Sequence, residues 1–93
     1  AQDSRAPAAF ASAARWYGEL IETFADDPDV PEYLFLLGEL HTEAGEPALA
    51  VAPYQRVMRE YTANPRAPEA GYAAILALEA LAAAPSAAAA DTD

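Results

Sequence analysis

The chain contains no cysteine and no lysine, and only one histidine, one tryptophan and one methionine among its 93 residues. Without cysteine there can be no disulfide, no thiolate nucleophile and no thiolate metal site. All five basic residues are Arg, set against 15 acids for a net charge of -10. A surface of that sign repels phosphate, so neither nucleic acid nor an anionic membrane is an expected partner. Glycine is scarce, at four residues, and none forms a phosphate-cradling loop. The longest stretch without a charge, Ala80 to Ala90, is mostly Ala, is broken by Pro85 and falls short of the ~20 apolar residues that cross a bilayer. Membrane insertion is therefore not expected.

Alanine is abundant instead, at 26 residues. Ala favours helix because it loses almost no side-chain entropy, but it buries little area, so helices built from it pack closely and weakly. The larger apolar residues recur at steps of three and four in four blocks, which predicts an all-α domain of four helices. A helix over residues 7–24 places Phe10, Ala13, Trp16, Tyr17, Leu20, Ile21 and Phe24 on one face, with Ser4 as N-cap and Pro7 in the first turn. A second over 30–44 carries Leu34, Leu37, Leu40, His41 and Ala44. Asp29 and Glu32 read as its capping box, and Gly45-Glu46 as its left-handed end. A third over 47–61 opens at Pro47 and carries Leu49, Ala50, Pro53, Tyr54, Val57, Met58 and Tyr61; Pro53 removes one backbone bond and predicts a mild kink. A fourth over 68–84 opens at Pro68, carries Tyr72, Ile75, Leu76, Leu78 and Leu81, and stops at Pro85-Ser86. Residues 1–6 read as an N-terminal extension, 7–84 as the helical domain, and 85–93 as a frayed Ala/Asp-rich tail whose Asp91 and Asp93 oppose the dipole of any helix there.

The third block repeats the first. Ala50 aligns with Ala13, Tyr54 with Tyr17, Val57 with Leu20, Met58 with Ile21, Tyr61 with Phe24, Pro65 with Pro28, Pro68 with Pro31 and Glu69 with Glu32, every pair 37 residues apart. One shared offset over eight chemically similar pairs marks a stacked repeat. The unit from Pro31 to Tyr61 is complete, while the segments on either side are half-units.

On these residues the chain resembles a tetratricopeptide repeat. Leu34, Leu37-Gly38 and His41 match the family pattern in the first helix of the unit, and Ala50, Tyr54 and Val57 match it in the second. The turns Asp27 to Glu32 and Asn64 to Glu69 are similar to those of bacterial envelope members, such as periplasmic Tol-Pal and outer-membrane assembly factors. Departures are His41 for an aromatic, Val57 for Ala, Pro53 inside a helix, and Ile75 where a third unit would have Gly. The resemblance implies a solenoid of antiparallel helix hairpins, about two repeats long, held by Ala13, Tyr17, Leu37, Gly38, His41, Ala50 and Tyr54. Gly38 and Ala50 would let helices approach, and Tyr54 would fill the space between pairs. It also points to a periplasmic or extracellular location. A first residue Ala1 in place of Met fits a terminus left by signal peptidase, and fits a cloned fragment equally.

Catalytic chemistry has little to rest on. His41 has Leu37 and Gly45 one turn away and no second His as a metal partner. Asp26, Asp27 and Asp29 lack the alternating spacing and Gly of a calcium loop, and Ser4, Ser12 and Ser86 have no base in prospect. No enzyme activity, cofactor or metal is expected. Two repeats are fewer than the ~3 that normally stabilise a solenoid, and neither end reads as a polar cap. Phe10, Trp16, Tyr72, Ile75 and Leu78 would leave apolar surface at the two ends. The expected function is thus a protein interaction scaffold that binds copies of itself head to tail, a heterologous contact that grows into a ring or filament. The alternative is an adaptor, or a piece of a longer solenoid. Its concave face would present Glu32, Phe35, Glu39, Thr42 and Glu43 to a basic or apolar peptide, with Phe35 as anchor.

Overall fold

The computed structural model describes the backbone of residues 2–83 and the side chains of residues 8–83. Among them the chain is all-α: α1 (Gln2–Thr23), α2 (Val30–Glu43), α3 (Pro47–Glu60) and α4 (Ala67–Ala83), with turns between and no strand. The expected tail 85–93 and the Ser4 side chain lie outside the described residues. α1 starts at Gln2, not at residue 7, so Pro7 lies inside the helix and residues 2–6 are continuous with it. Each helix packs on the next in sequence: α1 on α2, α2 on α3, and α3 on α4.

The 37-residue period holds in the backbone. α1 ends at Thr23 and α3 at Glu60; α2 starts at Val30 and α4 at Ala67. Four hydrogen bonds recur in matched pairs across the two turns. Phe24 N–H donates to Leu20 O as Tyr61 does to Val57, and Asp27 donates to Phe24 as Asn64 does to Tyr61. Val30 donates to Asp27 as Ala67 does to Asn64, and Tyr33 to Asp29 as Ala70 to Arg66. A side-chain bond recurs too: the Asp29 N–H donates to Asp27 Oδ1 at 2.8 Å, and the Arg66 N–H to Asn64 Oδ1 at 2.8 Å. Asp and Asn suit that place because each closes an Asx turn on the N–H two residues ahead. This corrects the capping box at Asp29, whose side chain makes no cap bond. Asp27 orders the turn instead.

The α2–α3 turn is built differently. Gly45 sits at φ 75°, where a Cβ would be strained, and the Glu46 N–H reaches back to His41 O while the Gly45 N–H reaches Thr42 O. That is a Schellman closure. The apolar pair that often accompanies it is replaced by His41 Nδ1 and Glu46 Oε1, 3.1 Å apart. α3 continues through Pro53, which is buried. Ile21, Val30, Leu34, Phe35, Ala50, Tyr54, Val57, Ala70, Ala74 and Ala77 make one core running through all four helices. Phe24 and Leu49, expected on buried faces, are more than half exposed: Phe24 falls in the turn after α1, and Leu49 turns outward beside the fully buried Ala50.

Candidate functional site

The surface that departs most from ordinary packing is α4. Its inward face is small: Ala67, Ala70, Gly71, Ala74 and Ala77 are buried. Its large residues point out, with Tyr72 63% and Ile75 54% exposed, and with Leu76, Leu78 and Leu81 also exposed. The cause lies in the repeat. Where α2 buries Val30, Leu34 and Phe35, α4 carries Ala67, Gly71 and Tyr72. A Cβ on Gly71 would lie 3.0 Å from Met58 Sδ, so α3 and α4 approach closely and leave no room for bulk between them. A helix apolar on both sides is one whose outer side is normally covered. Beside it runs an open groove of about 590 Å³ between α3 and α4, lined by Met58, Gly71, Ile75 and Leu78. Glu69 and Glu79 are the only charged residues of α4, and Ala70 to Leu78 carries none.

Of the other expected self-association residues, Trp16 is 58% exposed on α1 and Phe10 is partly buried. The Trp16 ring meets the edge of Tyr17 at 5.4 Å, and Tyr17 lies 6.4 Å from Tyr33. Partial burial, followed by the Asp27 and Asp29 carboxylates and then Tyr17, holds the Tyr33 hydroxyl above its ordinary pKa.

The acidic groove is only partly as expected. Glu39, Thr42 and Glu43 are exposed on α2, but Phe35 is 2% exposed and cannot serve as a surface anchor. Its ring packs edge-on against Tyr54 at 5.4 Å, and Arg66 from the second turn lies over it, the guanidinium carbon 4.2 Å from the ring centre. Arg66 Nε also reaches Glu32 Oε1 at 3.3 Å. Arg66 is the residue that sequence reasoning passed over. Its signal was present: it aligns with Asp29, a reversal of charge within an otherwise similar turn.

Gly38 faces Tyr54 directly. A Cβ there would lie 2.5 Å from Tyr54 Cε1, inside any tolerable contact. Thr42 Oγ1 donates to Gly38 O at 2.9 Å and sits 3.4 Å from the Tyr54 hydroxyl. Burial raises the Tyr54 pKa; the Thr42 hydrogen bond lowers it in part, and Glu39, Glu69 and Glu43 raise it further. Ala50 is fully buried beside this contact, Ala13 and Leu37 are partly buried, and His41 is mostly buried in its pair with Glu46. Ile75 stands 37 residues after Gly38, and Tyr17 stands 37 before Tyr54. A copy seating α1 on α4 as α3 sits on α2 would set Ile75, not a glycine, against Tyr17.

Among the described residues no three acidic or histidine side chains gather as a metal site requires, and no helix is long and apolar enough to cross a membrane. Comparison with the known protein families, with curated proteins and with solved structures gives no match.

Proposed function

We propose that the chain is a non-enzymatic scaffold of tetratricopeptide type that joins protein chains, copies of itself first, through its terminal helices. The observation carrying this reading is the reversed packing of α4, small residues inside and Tyr72, Ile75, Leu76 and Leu78 outside. Covering a side chain of that size contributes ~1.5–3 kcal/mol when burial is complete, so an uncovered row is a strong drive to associate. The matched turns and the contact of Gly38 with Tyr54 support the family reading, and the similarity of those turns to envelope proteins supports a periplasmic or extracellular site of action.

Light scattering on the purified chain across a micromolar range tests it. Mass above that of the monomer is the expected result; a strict monomer at every concentration overturns the reading. Capture of a basic peptide along Glu39 and Glu43 is the second reading, favoured by their exposure on one helix face. With Phe35 buried it requires a different apolar anchor. Glu39→Ala together with Glu43→Ala would abolish capture while leaving mass unchanged.

A further inference from the structure

We propose that two copies of the chain pair through α4, antiparallel, about a two-fold axis passing between Ile75 and Leu76. The inference rests on the self-association proposed above and specifies its surface and symmetry.

Charge narrows the choice of surface. For two chains of net charge -10 to meet, the contact must be nearly free of acids. Ala70 to Leu78 is such a stretch, its large residues are the exposed ones, and Glu79 at its edge is the one acid each copy brings to the contact. α1, by contrast, sets its exposed Trp16 among Arg15, Glu19 and Glu22.

The outward face of α4 is also self-complementary. Opposite the buried row lie Tyr72, Ile75, Leu76 and Glu79, at the spacing that puts them on one helical stripe. An antiparallel copy brings Ile75 against the partner's Leu76, and Tyr72 against the partner's Glu79. Both apolar side chains are then covered, and each phenol hydroxyl meets a carboxylate able to accept its hydrogen bond. Turning one helix parallel instead would set the two Glu79 carboxylates on each other and leave both hydroxyls without that acceptor.

Steric fit separates this contact from head-to-tail stacking. Gly38 is what lets Tyr54 seat on α2, and α4 carries Ile75 at the equivalent position, which disfavours the same seating of α1 from another copy. A two-fold contact through α4 needs no such seat. It is isologous and closes at two subunits, leaving α1 and the α2 groove of each subunit free for other chains.

The lack of native cysteine makes the test clean. Ile75→Cys, at an exposed position, is oxidised at micromolar concentration beside Trp16→Cys. The expected result is a single covalent dimer from Ile75→Cys, none from Trp16→Cys, and helix content unchanged in both. Light scattering on the parent chain should level at twice the monomer mass, and Ile75→Glu should weaken dimerisation more than about tenfold, with Glu79→Ala weakening it by about threefold. A mass that keeps growing with concentration, or a cross-link between the Trp16→Cys and Ile75→Cys chains, overturns the two-fold pairing while leaving self-association in place. A strict monomer overturns both.

Discussion

The α1–α2 and α3–α4 junctions have the same turns, offset by 37 residues, and opposite interiors. At the first, Ile21 meets α2 where Leu34 is buried, and the large residues of α2 are inside. At the second, the equivalent pair is Met58 and Gly71, in contact across a row of alanines, and the large residues of α4 are outside. Turn geometry is therefore set by a few hydrogen bonds and is indifferent to what the helices bury. The interior decides how closely they approach, and so which residues remain for other chains.

Substitution at equivalent positions would show whether the two interiors differ as described. The largest effect is expected at Leu34→Ala, which opens a cavity in the α1–α2 half and should lower unfolding free energy by ~2–5 kcal/mol in denaturant titration. No equivalent loss is available in the other half, where Gly71 already stands.

The two buried glycines give a sharper contrast. Gly38→Ala drives a Cβ into the Tyr54 ring, held by Phe35 behind it, and should destabilise by ~1–3 kcal/mol. Gly71→Ala meets only the flexible Met58 thioether, which can move, while Ala gains up to ~1 kcal/mol of helix propensity, so its midpoint should hold or rise. Equal losses at both sites would break the distinction.

Much of this was legible in the sequence. Four helices and their 37-residue repeat follow from periodicity, while a close approach at Gly38 was implied by the family resemblance, with Ala50 rather than the observed Tyr54 expected opposite it. The reversal of α4 was half legible. Tyr72, Ile75 and Leu78 were expected to be exposed, yet which face of α4 turned inward depended on Gly71 against Met58, a pairing no single helix pattern contains. Phe35 was placed wrongly for a similar reason: taken alone its spacing puts it on the outer side of α2, whereas it lies in the core, edge-on to Tyr54, with Arg66 from the next turn over its ring. The start of α1 was missed because Pro7 reads as a boundary, although an Ala-rich helix can run past the loss of one backbone bond.

Smaller effects test the turns and the buried phenol. Arg66→Ala removes the cover of Phe35 and the contact with Glu32, and should lower stability by about 1 kcal/mol, whereas Asp29→Ala at the matching position should stay within ~0.5 kcal/mol. Tyr54→Phe loses only a 3.4 Å contact with Thr42 and should cost under about 1 kcal/mol. Its effect is clearer in alkali. The Tyr54 pKa is raised above 10.0 by burial, so the folded chain holds that proton longer than the unfolded one. The stability it contributes is fully present below pH 10.0 and is lost as pH climbs from there through the folded value. Phenolate absorbance should show a late step that Tyr54→Phe removes, and the alkaline fall in stability should shrink with it.

The proposal that the outer face of α4 is covered by a second copy is tested most directly by hydrogen exchange at rising protein concentration, read segment by segment. α4 is held to its own chain mainly by alanines, so its amides should exchange readily when dilute and slow markedly as copies pair, while α1 stays unchanged. Exchange in α4 that ignores concentration, or slowing confined to α1, would contradict the account.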